Sequence, residues 1–194
     1  MPVGDKFLLK GYDYYLNLGG IANISQSTKD SFIAFDICPA NRVLDMLAQT
    51  AGKNFDAGGA LASSGKVHDA LLSKLNEEEY YLRPYPKSLA NDFGTHTIFP
   101  LIQSFQLNPE DALRTYTEHI AQQICSSIQA LKNETTHQSL LVTGGGAFNQ
   151  FLVQRLSDTL LKQNVAVVIP DEITVQYKEA LIMAFLGILR WREE

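Results

Sequence analysis

Cysteine is nearly absent from this chain: two in 194 residues, Cys38 and Cys125, far apart and in no CxxC pair. That excludes a disulfide framework and a thiolate zinc site, and leaves the expectation of buried, reduced thiols in a cytoplasmic protein. Basic residues are too few and too scattered to form a run, 16 Lys and Arg standing against 21 Asp and Glu for a net charge of −5. A surface for nucleic acid or an anionic membrane needs clustered positive charge, so neither partner is expected. No apolar run reaches the ~20 residues that span a bilayer. The most apolar stretch, ALIMAFLGILRW (Ala180 to Trp191), reads as a buried helix, and the opening MPVGDKFLLKGYDYY lacks the sustained apolar core of an export signal. The histidines, at 68, 96, 119 and 137, pair with no cysteine or acidic cluster, which argues against zinc. There is no G-x-S-x-G, so an esterase nucleophile elbow is unsupported.

What is present is enough apolar residue, 45% of the chain, for one globular domain with a real core. Residues 12–37 read as a β-meander: YDYYLNL alternates, IANIS resumes after Gly19-Gly20, and FIAFDI follows the polar turn QSTKD. A two-residue Gly-Gly link favours a primed turn with positive φ at both glycines. Asn17 and Asn23 flank it, and asparagine in a strand needs a hydrogen-bonding reason. Helical spacing begins in ANRVLDMLAQTAG, with Val43, Leu44 and Leu47 on one face and Gly52 as terminator. Residues 53–108 break the rhythm and read as an inserted region: the Gly/Ser-rich loop NFDAGGALASSG, a short helix KVHDALLSKL, and EEEYYLRPYPKS held extended by Pro84 and Pro86. From 109 on, the pattern is helix, strand, helix, strand, helix. Asn108 caps the longest helix, Pro109 opens it, and Leu113, Tyr116, Ile120, Ile124, Ile128 and Leu131 line one side. The strand SLLVT, a glycine triplet, a helix with Phe148, Phe151, Leu152 and Leu156 inward, and the buried strand VAVVIP lead to the last helix. Meander strands followed by alternating helix and strand make a mixed α/β layer fold.

TGGGAFN between strand and helix is the strongest chemical signal. Gly144, Gly145 and Gly146 let the backbone turn sharply and approach a ligand, and a following helix offers N–H groups and a positive dipole end. It is neither a Walker A loop, with no Gly-Lys-Ser/Thr after it, nor G-x-G-x-x-G, since Asn149 stands at the last position. A tight turn with no ligand is the alternative, although each glycine that a turn does not need costs up to about 1 kcal/mol of chain entropy. Asp36 ends the third strand, where it could meet a metal-bound phosphate or cap the helix behind it. Asp56 could serve a site or only a turn, Lys87-Ser88 a site or a solvated loop. Glu179, early in the apolar last helix, could be partly buried or exposed.

Six stretches in order, LNLGGIANIS, AFDICPANRVLD, FDAGGALASSG, PYPKS…NDF, LLVTGGGAFN and EALIMAFL, resemble the anhydro-N-acetylmuramic acid kinases, members of the superfamily of sugar kinases, actin and heat-shock chaperones. The resemblance implies a ribonuclease H-like lobe and an enzyme that uses ATP and Mg²⁺ to phosphorylate the 6-hydroxyl of a 1,6-anhydro amino sugar while water opens the anhydro ring. It implies Gly19, Gly20 and Asn23 at the β/γ-phosphates, and Gly144, Gly145, Gly146 and Asn149 at the nucleotide. Asp36 and Asn41 would lie at the cleft floor near the Mg-phosphate. Asp56, Lys87, Ser88 and Glu179 would be sugar or cleft contacts. The family's first lobe, with its Gly-Thr-Ser-x-Asp-Gly loop and the general base, has no counterpart here. Residues 1–194 therefore read as a C-terminal lobe, with little or no kinase activity alone. The expected partners are the sugar, and the missing lobe or a second copy across the surface that lobe would cover. Cys38 and Ala40 stand where the family has glycines, and Leu89-Ala90-Asn91-Asp92 replaces Thr-Gly-Arg-Glu, removing a basic contact at Asn91. A non-catalytic module that binds nucleotide or protein is the alternative.

Overall fold

The computed structural model describes residues 7–27, 32–90, 92–131 and 137–193. Strands β1 (Tyr14–Leu18), β2 (Ile21–Ser27), β3 (Phe32–Pro39), β4 (Gln138–Thr143) and β5 (Val165–Val168) form one sheet in the order β3-β2-β1-β4-β5. The first three are antiparallel neighbours; β4 joins β1 in parallel and β5 joins β4 in parallel. This is the ribonuclease H-like mixed sheet. The turn between β2 and β3 (28–31) and Asn91 lie outside the described residues.

Helices α1 (Asn41–Thr50), α2 (Ala60–Ser64), α3 (Asp69–Asn76), α4 (Glu79–Leu82), α5 (Phe99–Ser104), α6 (Pro109–Leu131) and α7 (Gln150–Leu161) complete the part before the last strand. Tyr14, Leu16, Leu18, Leu140 and Val142 bury their side chains with Val43, Leu44 and Leu47 of α1 and the inward stripe of α6. α6 begins as its sequence predicts: the Asn108 Oδ1 accepts from the Asp111 N–H at 2.7 Å, with Pro109 in the first turn. Arg155 of α7 donates to Glu118 of α6 at 3.0 Å and ties the two helices. The last helix, α8 (Glu172–Trp191), lies on the other face. Strand side chains alternate between faces, so Thr143 points away from the side of Val142, and α8 reaches it there through Lys178.

Several expectations change. The strands of the first hairpin pair as far as Leu18 with Ala22, so the connection has three residues, and neither Gly19 nor Gly20 has positive φ. The first helix sets its shape: Ala40 N–H donates to the Gly20 carbonyl at 2.8 Å and Asn41 N–H to the Gly19 carbonyl at 3.1 Å. The start of α1 is satisfied by the hairpin and has no side-chain cap. The Gly/Ser-rich loop at 57–64 is a short 3₁₀ turn followed by α2, and a helical turn occupies Glu79–Leu82 within the stretch expected to be extended. β5 is an edge strand with only Val165 buried. Phe148 is exposed rather than inward, Cys125 is half-buried, and α8 buries only Val175, Lys178 and Ile182. Among the described residues no helix is long and apolar enough to cross a membrane.

Candidate functional site

Because β1 and β4 are parallel neighbours, with Asn17 opposite Thr143, their two glycine turns leave the same end of the sheet. They pack against each other. Gly144 has φ +84°, and a Cβ there would lie 2.7 Å from Asn17 Oδ1 and 2.8 Å from the Leu18 carbonyl oxygen. A Cβ on Gly146 would lie 2.7 Å from that of Leu18 and 3.0 Å from Asn41 Oδ1. Only glycine lets the second turn come this near the first. Asn41 sits between them: its Nδ2 donates to the Leu18 carbonyl at 3.0 Å while its backbone holds Gly19.

Three adjoining cavities surround this junction. One of about 490 Å³ is bordered by Asn17, Gly19, Gly20, Asn23, Arg42 and Glu179. A second, of about 290 Å³, lies over Gly144 and Gly145 and shares Asn17 and Glu179 with the first; Lys178 is in its wall. The third, of about 260 Å³, takes in Asn41, Asp45, Asp56, Gly145, Gly146, Phe148 and Asn149. Together they form a cleft with glycine backbone along its middle.

The anhydro-N-acetylmuramic acid kinase family model matches residues 9–193. The chain belongs to this family. The anhydro-N-acetylmuramic acid kinases of Aliivibrio fischeri and Rhodococcus erythropolis are 35% and 36% identical over 89% and 90% of the chain. The chain spans about half the length of the curated relatives it matches, 47% and 46% for these two. Among solved structures, the fold is shared with component A of the Acidaminococcus fermentans (R)-2-hydroxyglutaryl-CoA dehydratase. That match has TM-score 0.55 and 16% identity, over 90% of this chain and 60% of that one. The activator of the Clostridium difficile 2-hydroxyisocaproyl-CoA dehydratase, solved with bound ADPNP, matches at TM-score 0.54 and 16% identity over 87% and 57%.

Of the residues expected to serve this family's site, the structure gathers Gly19, Gly20, Asn23, Asn41, Gly144, Gly145, Gly146, Asn149, Asp56 and Glu179 around the cleft. Two of them already have structural work. Both Asp56 carboxylate oxygens accept α2 backbone N–H groups, from Leu61 at 2.8 Å and Ala62 at 3.0 Å. Asn149 caps α7, its Oδ1 accepting from the Leu152 N–H at 3.0 Å.

Asp36, Lys87 and Ser88 gather elsewhere. Asp36 caps no helix; its Oδ2 accepts from the Ser88 hydroxyl at 3.0 Å and the Leu89 N–H at 2.9 Å, and its N–H donates to the Lys87 carbonyl. It pins the 87–89 segment along β3. The Lys87 ammonium donates to the Tyr80 and Tyr81 carbonyls at 3.2 and 3.4 Å and lies 4.7 Å from the Tyr80 ring centre; burial lowers its pKa. None of the three borders the three cavities at the glycine turns.

Three cleft residues were not anticipated. Arg42 stands at the rim beside Gly20. Asp45 is in the third cavity, where burial raises its carboxyl pKa. Lys178 is 3% exposed, and its Nζ donates to Thr143 Oγ1 at 2.7 Å. The signal for Lys178 was in the spacing: Val175, Lys178 and Ile182 are three and four apart, which puts the lysine on the inward stripe. Among the described residues no group of three or more His, Cys, Asp or Glu gathers to hold a metal ion.

Proposed function

We propose that this chain is the C-terminal lobe of a cytoplasmic kinase. The enzyme transfers the terminal phosphoryl group of ATP to the 6-hydroxyl of 1,6-anhydro-N-acetylmuramic acid, water opens the anhydro bond, and the product is N-acetylmuramic acid 6-phosphate. The observation that carries this reading is the packing of the two glycine turns against each other at one cleft, locked by Asn41. Bound ATP supplies the phosphoryl group, and Mg²⁺ neutralises its charge.

This chain's residues bind and orient. Gly144 and Gly146 keep the floor free of side chains, so that a nucleotide meets backbone. Asn17, Asn23 and Arg42, in the largest of the three cavities, provide donors for phosphate oxygens and sugar hydroxyls. Glu179, exposed where two cavities join, is the carboxylate suited to a hydrated Mg²⁺, while each Asp56 oxygen already accepts one α2 backbone N–H. The base that activates water belongs to the half of the relatives' length that this chain does not span. Phosphoryl transfer depends on positioning from both sides, so the lobe alone is inactive.

A chain supplying the first lobe, fused or as a second polypeptide, tests this in a coupled assay of ADP release with the anhydro sugar. Turnover is expected from the two-lobe protein and none from residues 1–194. A folded two-lobe protein without turnover rejects the proposal. The exposed Ile173, Tyr177, Leu181, Met183, Ile188 and Trp191 of α8 favour a second reading, a module that works by docking to protein. Light scattering that detects larger species, with no nucleotide binding by calorimetry, would support that reading.

A further inference from the structure

The three cavities follow one another along the glycine backbone. The first borders Gly19 and Gly20, the second Gly144 and Gly145, and the third Gly145 and Gly146; Phe148 belongs to both the second and the third. The third has a second aromatic side chain, Phe55, in its wall, and the two rings are left 62% and 45% exposed, Phe55 the more so. Phe55 comes from the loop before α2 and Phe148 from the turn before α7, so two distant segments bring rings to one cavity. A phenylalanine in water gains nothing for the fold, and burial energy is released only when an apolar face covers it. Of the polar side chains around the cavity, Asn41, Asp56 and Asn149 are tied to backbone. The half-buried Asp45 and the exposed Asn54 complete the wall. Rings for two flat faces, an amide and a carboxylate for polar edges, and a floor of bare backbone suit a flat heterocycle with a sugar attached.

We propose that the third cavity takes the nucleoside end of the nucleotide without choosing between purines: the base stacks on Phe55 and Phe148, and the ribose hydroxyls donate to the Asp45 carboxylate. This rests on the kinase-lobe reading, in which the phosphates lie at the Gly19–Gly20 end of the row, and the arms of the test below separate the two. Every base has a π-face, so a stack is tolerant of which base it holds. Adenine and guanine differ at position 6, an amine in one and a carbonyl in the other, and the Asn54 amide offers an acceptor for the first and a donor for the second. An ionised Asp45 carboxylate only accepts, so it binds ribose and loses a partner in deoxyribose.

Calorimetry on the 194-residue chain with Mg²⁺ compares ADP, GDP, 2′-deoxy-ADP and pyrophosphate, for the native protein, Phe55→Ala, Phe148→Ala and Asp45→Ala, with circular dichroism to check folding. ADP and GDP should bind the native chain within about threefold of each other. Each phenylalanine variant should weaken both about five- to hundredfold while pyrophosphate stays within about twofold. The native chain should bind 2′-deoxy-ADP about tenfold more weakly than ADP, and Asp45→Ala should bind the two equally. Unchanged ADP affinity in both phenylalanine variants overturns the assignment, gives the rings to contact with another protein surface, and leaves the kinase reading standing. A preference for ADP over GDP beyond about thirtyfold overturns the tolerance for purines, and equal native affinities for ADP and 2′-deoxy-ADP overturn the role of Asp45. An equal loss for pyrophosphate in the phenylalanine variants also overturns the proposal, because the rings then only shape the fold. Failure of the native chain to bind any of these ligands overturns both readings. If a phenylalanine variant does not fold, the ring resonances of Phe55 and Phe148 in the native protein decide: they shift with ADP and GDP and not with pyrophosphate, and no shift with ADP overturns the proposal.

Discussion

The two longest helices, α6 and α8, are treated by the fold in opposite ways. α6 carries charged and polar residues through its length, yet Leu113, Tyr116, Ile120, Ile124 and Ile128 are fully buried. α8 contains the most apolar stretch of the chain, yet leaves Met183 68% and Trp191 86% exposed. The difference is in the neighbours. α6 is packed by α1, α2, α3 and α7, whereas α8 touches the molecule along one narrow stripe. Hydrophobicity states a demand for cover; only another surface meets it. On the reading proposed above, the missing lobe is that surface.

The strongest way to break this comparison is Ile120→Ala in α6. A cavity at a fully buried site should cost about 3 kcal/mol in a urea unfolding curve, and a loss below about 1 kcal/mol would mean that α6 is not the centre of the core.

Next in size is Gly144→Ala, at the place where the buried side of α8 meets the cleft. Forcing a side chain into φ +84° and onto Asn17 and Leu18 should cost about 2 kcal/mol. It should also abolish ATP binding in calorimetry. Native-like values for both would remove the close approach from the argument.

The third prediction concerns pH. His119 of α6 is buried, its Nδ1 donating to Asn76 Oδ1 at 2.7 Å, and burial pushes its pKa down to about 3. In the folded protein the ring stays neutral down to that pH, while in the unfolded chain it takes up a proton below about 6.5. The unfolded state therefore binds more protons between these values, so stability is lost as pH falls from 6.5 towards 3, by up to about 1.4 kcal/mol per pH unit. Unfolding curves of His119→Gln should have a shallower slope over that range; an identical slope would assign the acid sensitivity to other groups.

The smallest effect belongs to the bare side of α8. Leu181→Ser with Met183→Ser should change the stability of the chain by no more than about 0.5 kcal/mol per site, while preventing self-association or docking of a first lobe in light scattering. A large loss of stability would show that this face is packed in solution.

Much of the core was legible because it is written in local periodicity. The β-meander, the cap and inward stripe of α6, and the face of α1 all follow from spacings of two, three and four. The glycine triplet was legible as a close approach, though not what it approaches. Gly19 and Gly20 misled because a two-residue primed turn is the default for Gly-Gly; here α1 binds their carbonyls and reshapes the link. The strand-end position of Asp36 suits a cleft or a helix end, but it holds Ser88 and Leu89, more than fifty residues away. The spacing of Val175, Lys178 and Ile182 places the lysine on the inward stripe of α8, but not the Thr143 hydroxyl that meets it there.

By itself the sequence determined where strands and helices form, which backbone positions are stripped of side chains, and which family the motifs resemble. These depend on interactions within a few residues and on covalent preference. Only the tertiary structure decided that the two glycine turns meet, that Asp36 and Lys87 turn away from them, and that α8 meets Thr143 through Lys178 while leaving Leu181, Met183 and Ile188 exposed. Burial and charge pairing depend on what distant parts of the chain bring alongside, and no local pattern encodes that.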